Sequence, residues 1–164
     1  MSTSPIVIPQ FRIYFALQQA VVLAKARTTQ AQVFSRFSIP SELRLRGSFT
    51  QFVTLIGQLI KLSISSYQQT AAHRLVFVTA DYLVNQLTIR VTDGGSGLRY
   101  QTGKLLGDKT LHSHSTPQRI LAETELTVRS VFRGQLLVKT FPQRGTQVTI
   151  QLPVPTYTQT PDTS

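Results

Sequence analysis

Cysteine is absent from this chain. Its absence excludes disulfides, thiolate zinc sites and cysteine nucleophiles together. Acids are scarce: seven Asp and Glu stand against seventeen Lys and Arg, for a net charge of +10 at pH 7. Such an imbalance attracts polyanions, whether nucleic acid, nucleotides, an acidic partner or an anionic membrane. No apolar run approaches the roughly 18–20 residues that cross a bilayer. The opening MSTSPIVIPQF has neither a basic n-region nor a long apolar stretch, so no secretory signal is predicted and a cytoplasmic address is expected. A dense basic cluster is missing too. Arg44, Arg46, Lys104, Lys109, Arg129, Arg133, Lys139 and Arg144 lie scattered, and aromatics do not interleave with them as in a base-stacking platform. The charge permits nucleic-acid affinity, but the pattern disfavours a dedicated nucleic-acid module.

What is present reads as a single globular domain, of a length that buries one core and with 41% hydrophobic residues. Residues 1–10 read as an extended segment, 11–153 as the domain and 154–164 as a disordered polar tail. Ile13, Leu17, Ala20, Val21 and Ala24 recur at helical steps and predict a helix over 11–27. QVFSRFSIP predicts a short strand ending before Pro40. Ser48 suits an N-cap for a second helix to about Ser66, apolar on most sides and therefore deeply buried. RLVFVTADYLVNQLTIRVTD reads as two strands joined by a loop near 81–85. The segment GGSGLRYQTGKLLGDKTLHSHS reads as a long connecting loop. A third helix is predicted over 116–131, with Thr116 and Pro117 at its start, followed by a hairpin joined through PQRG. Paired strands with gathered helices predict an α+β fold: a two-layer α/β sandwich, one mixed sheet with three helices on one face.

VTDGGSGL sets an acid at the mouth of a glycine turn, where both a plain turn residue and a ligand contact fit. With RGTQVTIQLP near the C-terminus and the apolar helix FVTLIGQLIKLSISSY between, the order resembles the ATP-binding domain shared by sensor histidine kinases, gyrase-type topoisomerases, heat-shock chaperones and mismatch-repair ATPases. The resemblance covers about 11–153. It implies that Asp93, with Gly95 and Gly97 of a D-x-G-x-G box, reads adenine, with Thr146 supporting it through water.

Several positions depart from that pattern. The asparagine that holds magnesium in the family falls on Leu62, with Gln58 one turn earlier. Magnesium needs hard oxygen ligands that leucine lacks. The family's lysine and aromatic fall on Ser65 and Ser66, with Tyr67 next door. No carboxylate occurs from Ser48 to Ser66, so this helix holds no general base for water. The lid lacks a G-x-G at HSTPQRI, leaving Lys104 and Lys109 as its candidates for an anion. His112 and His114 could share a metal, but no third ligand accompanies them, and a phosphoacceptor hairpin is missing. The expectation is a degenerate domain with weak ATP binding and no magnesium, acting as a signalling module through a protein partner. The alternatives are an active stand-alone kinase of this fold, like the small anti-sigma kinases, and a basic nucleic-acid-binding domain.

Overall fold

The computed structural model describes residues 3–5, 7–67, 73–95, 116–141 and 143–155. Its elements are β1 (Gln10–Arg12), α1 (Ile13–Arg27), β2 (Gln32–Ser38), β3 (Arg44–Arg46), α2 (Phe49–Ser65), β4 (Leu75–Leu83), β5 (Gln86–Asp93), α3 (Thr116–Ser130), β6 (Gln135–Phe141) and β7 (Gly145–Pro153). Five strands form one mixed sheet in the order β2-β4-β5-β7-β6. β2 runs parallel to β4 and the other neighbours are antiparallel.

Period-two patterning decides which face is covered. Val76, Val78 and Ala80 of β4, Leu87, Ile89 and Val91 of β5, and Val148, Ile150 and Leu152 of β7 are all buried. They join Leu17 and Ala20 of α1, Ile56, Leu59 and Ile60 of α2, and Leu121 and Val128 of α3 in one core. The alternate residues Phe77, Thr79, Thr88, Arg90 and Thr149 are not buried. This is the expected two-layer arrangement, with helices on one face. α2 has the least polar surface of the three because it sits over β4 and β5, in the middle of the sheet. The Ser48 hydroxyl caps it by accepting the Gln51 N–H at 3.2 Å, which satisfies one of the first-turn donors.

Three details differ from the sequence reading. Phe11, expected to open the first helix, lies in β1, which pairs with β3 as a separate two-stranded ribbon. Strands of three residues carry too little periodicity to announce themselves. The expected loop at 81–85 is a two-residue turn, Val84–Asn85, with φ of 50° and 58°; both central residues adopt the left-handed conformation of tight hairpins. Finally, Val154, expected in the tail, is buried. Its N–H donates to the Asn85 carbonyl at 2.9 Å, and its carbonyl accepts the Tyr82 hydroxyl at 2.7 Å.

Candidate functional site

Asp93 ends β5, the central strand, and is buried at 4% exposure. Its Oδ1 accepts three hydrogen bonds: from the Ser66 hydroxyl at 2.9 Å, the Gly95 N–H at 3.0 Å and the Thr146 N–H at 3.3 Å. Oδ2 is equally buried and has no hydrogen-bond partner among the described residues. Burial raises the carboxyl above its ordinary value. The Gly95 N–H, the hydroxyls of Ser66 and Ser63 and the Thr146 N–H oppose the rise. Ser63 lies near enough to favour the charge, yet no well-formed bond reaches Oδ2, which remains a free acceptor. A buried acceptor without a donor is costly and uncommon in a folded chain. A ligand N–H is one way to satisfy it.

The glycine turn is held from beneath. The Tyr67 hydroxyl accepts the Gly94 N–H at 2.8 Å and the Leu75 N–H at 3.1 Å, and donates to the Leu75 carbonyl at 2.6 Å. Gly95 then packs directly on the end of α2, where an added Cβ would collide with the Ser66 hydroxyl and press on the Ser66 backbone. Close packing of the chain on itself is thus one reason for glycine at 95. On the other side, Gly145 has φ of +109°, and a Cβ there would run into the Asp93 carbonyl. That close approach brings Thr146 beside Asp93. The Thr146 hydroxyl also lies 3.2 Å from that of Thr140.

Asp93, Gly95 and Thr146 therefore come together as the sequence implied. Gly97, Lys104, Lys109, His112 and His114 lie outside the described residues. Leu62 packs in the hydrophobic core, and Gln58 lines a groove between α1 and α2. The side chains that act on Asp93 are instead Ser63 of α2 and its C-cap Ser66, followed by Tyr67, one position later than the apolar pattern indicated. Tyr67 was the usable signal: counting back from it, rather than matching hydrophobic residues, puts Ser63 where Leu62 was expected.

The residues fit an adenine better than a metal. Oδ2 of Asp93 suits an amino donor, and the adjoining backbone is slim. Magnesium requires oxygen ligands in near-octahedral array. The end of α2 offers it two serine hydroxyls, and no group of three His, Asp or Glu side chains gathers anywhere among the described residues.

No protein-family model matches the chain, and no curated protein matches it in sequence. Solved structures do match in shape. The nucleotide-free catalytic domain of histidine kinase ThkA superposes with a TM-score of 0.69 at 12% identity, over 91% of this chain and 97% of that one. The fold is that of a histidine kinase catalytic domain. The mycobacterial sensor histidine kinase MprB gives a TM-score of 0.67 at 12% identity, covering 92% of this chain and all of that one. A blue-light activated histidine kinase of Erythrobacter litoralis gives 0.63 at 15% identity, over 88% of this chain and 42% of that one. ThkA has also been solved in complex with the response regulator protein TrrA, and that structure matches with a TM-score of 0.67 at 13% identity, over 90% of this chain and 42% of that one. No helix among the described residues is long and apolar enough to cross a membrane.

Proposed function

We propose that this chain is a degenerate histidine kinase-type domain that works in the cytoplasm by binding a signalling protein and turns over no ATP. One observation carries the reading: α2 meets Asp93 with Ser63 and Ser66, where phosphoryl transfer needs groups that hold a metal. Catalysis of that transfer is mostly positioning and charge neutralisation. Without the metal ligands several factors of ten in rate are lost, at about 1.4 kcal/mol each. The free Asp93 Oδ2 still supports weak, magnesium-independent contact with adenine. The surface supports a protein partner: Phe15 and Val22, seven residues apart on α1, are 57% and 58% exposed. They are two exposed apolar side chains on one face of α1, with Gln18 and Gln19 between them, on the helix that packs beside the edge strand β2.

Incubation with labelled ATP and magnesium, alone and with cell extract, is expected to give no phosphoprotein that depends on this chain. Calorimetry is expected to give the same weak ATP affinity with and without magnesium. A labelled band that disappears with Asp93→Ala would establish the active-kinase alternative instead.

A further inference from the structure

A cavity of about 710 Å³ lies away from Asp93, between α1 and α2. The two helices run side by side in the same direction. Phe15 near the start of α1 stacks on Phe49 at the start of α2 at 5.7 Å, and the C-terminal turns of both helices line the cavity. Ala20, Ala24, Val53 and Ile64 supply its apolar walls. Gly57 lies on α2 within it, and a Cβ added there would meet nothing within 4 Å. Glycine in mid-helix is unfavourable, so an open space beside one removes the usual packing reason for it.

The far end of this trough is cationic. Arg27, Lys61 and Arg74 line it, and no acidic side chain among the described residues does. Arg74 is steadied by donating to Gln30 Oε1 at 3.0 Å. Arg27 and Lys61 make no ion pair among the described residues. Two helix C-termini present about half a negative charge each, so Arg27 and Lys61 by themselves exceed that by about one charge. Beyond the collar, a second polar cavity of about 200 Å³ shares Gln30 and Arg74 with the first and adds His73. The sequence of surfaces is an apolar trough, a cationic collar and a small polar chamber. The larger volume falls within the roughly 300–1,000 Å³ of small-molecule sites.

We infer that this groove binds a single-chain amphipathic anion, with its alkyl chain along the trough and its carboxylate or phosphate at Arg27, Lys61 and Arg74. The site is separate from Asp93 and independent of whether nucleotide binds there.

Titration calorimetry on the full chain tests the inference, using monomeric dodecanoate and dodecyl phosphate below their micelle concentrations. Both probes should bind at one per chain, with the tighter of the two identifying the headgroup. Dodecanol should bind at least tenfold more weakly than dodecanoate. Each methylene removed from the acid should weaken binding about fourfold. Arg27→Gln with Lys61→Gln should weaken both anions at least tenfold. Gly57→Leu, which fills the trough from a position with free space, should abolish binding while the melting temperature stays at or above that of the wild type. The inference is overturned by equal binding of dodecanol and dodecanoate, or by undiminished binding in a folded Gly57→Leu chain. Binding only to phosphatidylglycerol vesicles and not to either monomer would equally overturn it.

Discussion

The phenol oxygen of Tyr67 accepts the Gly94 N–H at 2.8 Å, and so ties the turn after β5 to the segment just beyond the C-cap of α2. The same oxygen holds both backbone groups of Leu75 at the start of β4. Tyr67→Phe keeps the ring and removes three hydrogen bonds. Part of that loss is made good by water, because Gly94 is exposed. We expect a destabilisation of about 1–2 kcal/mol, seen as a melting temperature lower by a few degrees. Amide exchange should accelerate at Gly94 and Gly95 beyond what the global change explains. An unchanged melting temperature would mean that Tyr67 has no structural part in the turn.

Asp93 gives a pH signature with a definite sign. Burial is the largest influence on its carboxyl and raises it above the ordinary 3.8. A carboxyl whose folded value is raised contributes stability that is complete below the unfolded value and is lost as pH rises through the folded value. Asp93→Asn keeps a carbonyl acceptor for Gly95 and Thr146 but does not titrate. The stability of the wild type relative to Asp93→Asn should therefore fall as pH rises from 3.8 through the raised folded value, and level off above it. Paired urea unfolding across that window measures the difference. A rise with pH would mean that the hydrogen bonds at Oδ1 outweigh burial.

The Asn amide would also place a donor where Oδ2 now offers an acceptor. Whatever adenine affinity the wild type has should be lost in Asp93→Asn, with inosine nucleotides losing less because their base presents a carbonyl at that edge. Equilibrium dialysis of the two nucleotides against both proteins reads this directly. Equal loss of both would show that the base edge does not face residue 93.

Val84 occupies a left-handed conformation at φ 50° and is 86% exposed. A β-branched residue is poorly suited to that region, whereas Asn and Gly adopt it readily. Val84→Asn or Val84→Gly should stabilise the β4–β5 hairpin by about 1 kcal/mol, with a higher urea midpoint and an unchanged slope. No gain would indicate that the turn relaxes away from this conformation in solution.

Long elements were legible in the sequence because their periodicity repeats: α2 over seventeen residues, β4 and β5 as alternating runs, and the β6–β7 hairpin around PQRG. Asp93 and Gly95 were legible because an acid among glycines after a strand is a distinct local pattern. Ser63 and Ser66 were not. On a helix as apolar as α2, nothing in the residue types indicates which way it is rotated about its axis, and one residue of misalignment turns it by about 100°. Leu62 thus took the place of Ser63. The α1–α2 groove was equally hidden, since Ala20 and Ala24 read as one face of a helix and nothing in the sequence brings Arg27, Lys61 and Arg74 together.

The order of strands in the sheet has a kinetic consequence. β4 with β5, and β6 with β7, are neighbours in sequence closed by short turns, so their contacts cost little chain entropy to form. Two pairings are different: β2 with β4, where Ser38 meets Asp81 across the whole of α2, and β5 with β7, where Thr92 meets Gln147 across a still longer stretch that includes α3. Long-range pairing of this kind is slow. The two hairpins should form early, and their joining through β5 and β7 should be the slower step. Among the described residues β2 is held on one side, by β4, whereas β5 is paired on both. In native-state hydrogen exchange, the β5–β7 amides should open only with global unfolding, while those of β2 exchange through a smaller opening. The β2 edge would then come away by itself, leaving the Asp93 strand still paired on both sides.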